Sequence, residues 1–260
     1  MKTGARLAAG LMAILLVVSA ATQTKPVITI GGSVWNAKWE AEGKDYEGMK
    51  ADAGTWVGPY LNIRVGKVLL GTSMYFGKIP IKGTTNMEYE YSIDLSRNDL
   101  NFSLGYSLFD YLNAFFAVKN ASIKGEDTFP PGSLAWYDEF GTLNYNLIEI
   151  QREIENKGTL FGGGLSGTYR FPKSPIFLFG SFAILKGTMN FSTVLTSAGG
   201  SLNDEMDESV TLKSYNAGIG FQTGSGISIL VGYRGENSSG EEGGEEKVKG
   251  IMATLAYTLR

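Results

Sequence analysis

The side chains available for chemistry in this chain are carboxylates, amines, guanidiniums and hydroxyls, because its 260 residues include neither histidine nor cysteine. That closes Ser-His-Asp and Cys-His nucleophilic catalysis, and zinc sites built on imidazole or thiolate. Two carboxylates can still divide acid and base roles on a glycoside, and Glu40 with Asp99 is a pair that strand alternation could turn toward one interior. The same alternation assigns eight charged residues to inward positions: Lys38, Glu40, Arg64, Arg97, Asp99, Lys119, Arg170 and Arg234. Six are basic and two acidic. Mutual ion pairing accounts for such a set better than catalysis does. A water-filled lumen with this lining would favour anions. No residue is assigned to catalysis, no metal ligand set is recognised, and no cofactor is expected.

Other short patterns carry less. Gly162-Gly163-Gly164 lacks a following GK[ST] and lies in an alternating run, so it is not a phosphate loop. Glu236, Glu241, Glu242, Glu245 and Glu246 stand among glycine and serine without the order of a calcium loop, and read as a solvated acidic loop.

The elements that would position these residues are strands. From Gly54 to Ile79 apolar residues recur at every second position, with a break at Gly66-Lys67. Val57, Pro59, Leu61, Ile63 and Val65 share one face, and Trp56, Gly58, Tyr60, Asn62 and Arg64 the other. Each arm exceeds ten residues, in keeping with the ~9–11 that a tilted strand needs to cross a bilayer. Similar runs predict ten strands in all, with eight as the alternative: Val27 to Glu42, Thr55 to Val65, Lys67 to Ile79, Asp94 to Leu108, Leu112 to Lys124, Thr159 to Arg170, Ile176 to Asn190, Ser209 to Gln222, Ile227 to Gly235 and Lys247 to Leu259.

The predicted connections alternate between short turns and long polar loops, beginning with a long one. The longest, Gly125 to Gly158, carries Trp136 and Tyr137 and could fold over a barrel mouth. Aromatic residues gather near predicted strand ends: Tyr106, Tyr111, Tyr169, Phe171, Phe221 and Tyr257 at the short-turn side, with Trp35, Trp39, Phe76 and Tyr233 higher up. Met1 to Ala21 reads as a cleaved secretory signal, with Lys2 and Arg6 before the apolar run and Ser19-Ala20-Ala21 after it. Residues 22–260 then form a single domain. A net charge of −3 offers no positive field for nucleic acid.

Long alternating strands, alternating loop lengths and aromatic ends together resemble small Gram-negative outer-membrane β-barrel proteins of the porin-like and OmpA-like type. The final row, Ile251, Ala253, Leu255, Tyr257 and Leu259, is the best local match. The resemblance implies an all-β, up-and-down antiparallel transmembrane barrel in the outer membrane, in contact with its lipid and lipopolysaccharide. It also implies that the barrel-assembly machinery reads the last strand, although Leu259-Arg260 replaces the usual terminal aromatic. Barrel enzymes of this type rely on histidine, so a structural or porin-like role for small solutes, with an anion preference, is the functional expectation. The competing expectation is a soluble, secreted, lipocalin-like barrel holding a small apolar ligand.

Overall fold

The computed structural model describes residues 25–42, 50–84, 88–133, 135–137, 143–241 and 244–259. The signal assigned to Met1–Ala21 lies outside them. Ten antiparallel strands form the body: β1 (Val27–Glu42), β2 (Gly54–Val65), β3 (Val68–Thr84), β4 (Glu90–Phe109), β5 (Leu112–Phe129), β6 (Ile150–Arg170), β7 (Ile176–Ser197), β8 (Gly200–Gln222), β9 (Ile227–Gly240) and β10 (Glu245–Leu259). Each pairs with its neighbour in sequence, and β1 pairs with β10 from Ile28↔Leu259 to Glu42↔Glu245. The sheet is therefore closed, and no edge is left to present unpaired backbone groups to lipid. Lys50–Ala51 adds a short strand beside β3, and Ala135–Tyr137 pairs with Leu143–Tyr145 in a small hairpin.

An even number of strands brings the start of β1 and the end of β10 to the short-turn side, which in barrels of this kind faces the periplasm. Outward rows on that half are apolar and exposed: Ile30 and Val34 on β1, Leu104 and Tyr106 on β4, Phe116 on β5, Leu165 on β6, Leu178 and Phe182 on β7, Ile229 and Val231 on β9, and Ile251 and Leu255 on β10. Water would penalise such a belt; a bilayer core of acyl chains accepts it. This is a transmembrane barrel of the outer-membrane type. The soluble lipocalin-like alternative fails here, since it would require these side chains inside.

The strands are longer than alternation alone indicated. At ~3.3 Å per residue the 23 residues of β8 extend roughly 75 Å, far more than an apolar band of about 25 Å needs even when tilted. Much of what reads as long loops is strand continuing into water. β5 runs to Phe129 and β6 begins at Ile150, so the connection between them is shorter than the predicted Gly125–Gly158. Ile150 and Ile154, inside that predicted connection, already belong to β6. β7 and β8 meet at a two-residue turn, Ala198-Gly199, where a long polar loop was expected. Side-chain positions for Trp136 and Tyr137 fall outside the described residues.

Along single strands the polarity pattern reverses. On β4, Leu100, Phe102 and Leu104 point outward, and then, nearer the outer end, Ile93 and Leu95 point inward with Ser92, Asp94 and Ser96 outside. β1 changes from outward Ile30 and Val34 to inward Trp35, Ala37 and Trp39. β7 changes from outward Phe182 and Ile184 to inward Leu185 and Met189. Within lipid the apolar face must look out; above it, water surrounds the barrel and ordinary burial puts that face in. Two apolar clusters fill the outer half: Trp35, Ala37, Trp39, Trp56, Ile79, Ile81, Ile93, Val248 and Met252 in one, and Ala121, Leu160, Leu185, Met189, Val210 and Leu212 in the other. Trp35 and Trp39 are thus core residues and not part of an upper girdle.

Candidate functional site

Where the polarity reverses, five charged side chains meet inside the barrel. Arg97 and Asp99 alternate on the inward face of β4, Lys119 comes from β5, and Arg234 and Glu236 alternate on β9. Arg97 grips Asp99 with two hydrogen bonds, Nε to Oδ1 at 3.0 Å and Nη2 to Oδ2 at 2.9 Å. The Arg97 Nη2 also donates to Glu236 Oε2 at 2.7 Å. Lys119 Nζ lies 2.8 Å from Asp99 Oδ2 and 2.7 Å from Glu236 Oε2. Arg234 Nη2 donates to Glu236 Oε1 at 2.7 Å. Three cations and two carboxylates thus form one connected layer, and its acids are fully shielded, with side-chain exposures of 0% for Asp99 and 2% for Glu236.

Aromatic faces complete the layer. The Arg97 guanidinium stacks on Trp56 at 4.7 Å from the ring centroid, and that of Arg234 lies 4.6 Å from Trp35 and 4.3 Å from Tyr75. Trp35 and Trp56 meet edge to face at 4.7 Å. A guanidinium is weakly hydrated and prefers such surfaces, which helps explain why arginine is tolerated here. Trp56 leaves no space for its neighbour Gly77, where an added Cβ would come within 2.0 Å of the indole Cδ1. Gly77→Ala is therefore expected to lower stability by roughly 1–3 kcal/mol through overpacking. Gly32→Ala, whose nearest atom would be 4.0 Å away, should change it by less than about 0.5 kcal/mol. Denaturation midpoints of the two refolded variants provide the check.

Beneath the layer, on the periplasmic side, lies a cavity of about 910 Å³. Asn62, Ser103, Asn113, Ser166, Asn216 and Thr258 contribute to its polar wall, and Lys119, Arg234 and Glu236 to its roof. Above the layer a much smaller space of about 80 Å³ reaches from Arg97, Lys119 and Glu236 toward Gly240 and Gly244. Further out, Arg152 pairs with Asp127 through two hydrogen bonds and rests on Tyr91 and Phe129. This pair lies on the inner face of the outer rim.

The eight charged residues expected in the lumen divide as follows. Arg97, Asp99, Lys119 and Arg234 come together in the layer, while Arg64 and Arg170 line the periplasmic cavity. Lys38 and Glu40 are instead on the outer surface, where Lys249 Nζ donates to Glu40 Oε2 at 2.6 Å. They alternate with inward Trp35, Ala37 and Trp39, because β1 has already left the lipid at that level. Glu40 and Asp99 therefore do not form an acid pair: Glu40 is outside the barrel and Asp99 inside. Glu236, which accepts from three cations, stands on β9 and not in the solvated acidic loop that its glycine and serine neighbours suggest. The inward alternation Gly232, Arg234, Glu236, Ser238 carries the signal that places it on β9 instead.

No protein-family model and no curated protein sequence matches the chain. Among solved structures it is similar to the outer membrane protease OmpT from Escherichia coli, with a TM-score of 0.60 at 12% identity over 90% of this chain and 97% of that one. It is also similar to the translocator domain of the autotransporter NalP from Neisseria meningitidis, with a TM-score of 0.50 at 12% identity over 98% of this chain and 97% of that one. At this identity the likeness is one of fold, shared by a protease and by a translocator. It agrees with the belt and the closure in defining an outer-membrane β-barrel.

Proposed function

We propose that the chain is a porin-like barrel for small solutes, held shut in this conformation by its ionic layer and anion-preferring when the layer parts. The observation that carries this reading is that Lys119, Leu212 and Glu236 line both the periplasmic cavity and the space above it. The barrier between them is thus a single layer of side chains. Ten strands lie near the width at which side chains fill a barrel, so any pathway is narrow and a broad, permanently open pore is not expected. Basic residues on the periplasmic side supply the charge preference.

OmpT is a protease by name, but this chain offers no imidazole for hydrolysis, and Asp99 and Glu236 are held in ion pairs. Lipid and lipopolysaccharide contact along the exposed belt, and reading of β10 by the barrel-assembly machinery, belong to the same proposal.

Planar-bilayer recording tests it. The wild-type protein should show rare, brief unitary steps, with a reversal potential in a KCl gradient on the chloride side. Glu236→Gln removes charge-assisted bonds worth ~1.5–3 kcal/mol each and should raise open probability on the order of tenfold or more. Silence in both proteins, or steps selective for cations, would leave only a structural role.

A further inference from the structure

The periplasmic cavity holds more positive charge than the ionic layer uses. Its wall carries Arg64, Arg170, Arg234 and Lys119 against one carboxylate, Glu236, and that carboxylate already serves Arg97, Lys119 and Arg234. Among the described residues no ion pair reaches Arg64 or Arg170. Arg64 is held by one bond, from Nη2 to Ser107 Oγ at 2.5 Å; Ser107 in turn donates to Asn113 Oδ1 at 2.7 Å. The Arg64 Nε is buried without a hydrogen-bond partner. Arg170 is steadied by the ring of Phe177, 5.0 Å below its guanidinium. Both arginines also line a side recess of about 330 Å³ with Asn113 and Thr168, and Asp110 at its rim is ion-paired to neither.

We infer that this cavity is a binding site for a small oxyanion of the phosphate class, entered from the periplasm and held by Arg64 and Arg170. Two guanidiniums offer paired N–H donors matched to adjacent oxygens, a fit that a halide does not exploit. The hydroxyl of Thr168 adds a neutral donor beside them, while the Asn113 amide is directed to Ser166. The surrounding wall of low dielectric strengthens the excess positive potential within it. A volume of about 910 Å³ falls within the usual range for small-ligand pockets, ~300–1,000 Å³, so the anion can be inorganic phosphate or a phosphomonoester. Binding does not require the ionic layer to open and is independent of conduction.

Isothermal titration of the refolded, detergent-solubilised protein with inorganic phosphate at low salt tests the site. Saturable binding is expected for the wild type. Arg64→Gln and Arg170→Gln should each weaken it at least tenfold. Arg170 is exposed at a strand end, so its variant should fold even if Arg64→Gln does not; heat-modifiable gel mobility reports on both. Lys38→Gln, which removes a cation from the outer surface, should stay within twofold of wild type. No saturable binding, undiminished binding in Arg170→Gln, or an equal loss in Lys38→Gln would overturn the assignment. Conductance is not read, so a silent barrel that binds phosphate would refute the gate and leave this site intact.

Discussion

Replacing Lys119 with methionine is expected to destabilise the folded barrel by roughly 3–5 kcal/mol, the usual effect of removing one partner from a buried ion pair. Lys119 is 2% exposed and its ammonium sits between Asp99 and Glu236. Without it, Asp99 Oδ2 and Glu236 Oε2 each lose a charge-assisted bond in a site closed to water. Arg97 and Arg234 still match the two carboxylates in charge, so the cost is that of two lost buried bonds rather than of an unbalanced charge. Urea unfolding in detergent micelles, followed by tryptophan emission, should show a large fall in midpoint without a comparable change in slope. Lys249→Met removes the outer partner of Glu40, where both side chains are about a third exposed, and should cost only ~0–1 kcal/mol. Equal small shifts in the two variants would mean that the central layer is hydrated and does not act as a sealed network.

A charge placed in the belt should be nearly as disruptive. Leu104 faces out from β4 beside Leu70 and Phe116, and adjacent Ser103 faces the periplasmic cavity. Leu104→Arg is expected to cost roughly 2–4 kcal/mol at mid-membrane depth, because a guanidinium there must drag water in or reach for a headgroup. Ser103→Arg enters a water-accessible space and should cost well under half of that. Refolding into lipid vesicles, scored by heat-modifiable mobility across a urea series, compares them directly. The same tolerance at both positions would remove the basis for assigning lipid to the outer face.

The lipid-facing half was legible in the sequence because acyl chains impose one rule on every strand that crosses them. Val57, Leu61 and Ile63 against Tyr60, Asn62 and Arg64 could be assigned to faces from period alone, and the structure keeps that assignment. The outer half was not legible by the same rule, since the sign of the rule depends on what surrounds the strand. The rule that polar residues face inward puts Lys38 and Glu40 inside; water outside β1 reverses it at that height. Strand ends were underestimated for a related reason. Sequences such as Asn203 to Ser209 are polar on both faces apart from Met206, so they show no alternation, and their strand structure comes from cross-strand pairing with β7.

The central layer was visible only in part. Arg97-x-Asp99 is a same-face pair of opposite charge within one strand, which sequence can show. Its closure through Glu236 joins residues 139 positions apart, and only the ring geometry brings them together. The orphaned Nε of Arg64 likewise has no signature in sequence, being a fact about packing.

The reversal of side-chain polarity along β1, β4 and β7 has one more consequence. It works as a waterline: each strand records, in its own residues, the height at which hydrocarbon gives way to the aqueous exterior. The draught of the molecule is therefore set by covalent structure, and a bilayer thinner or thicker than that mark must deform to meet it.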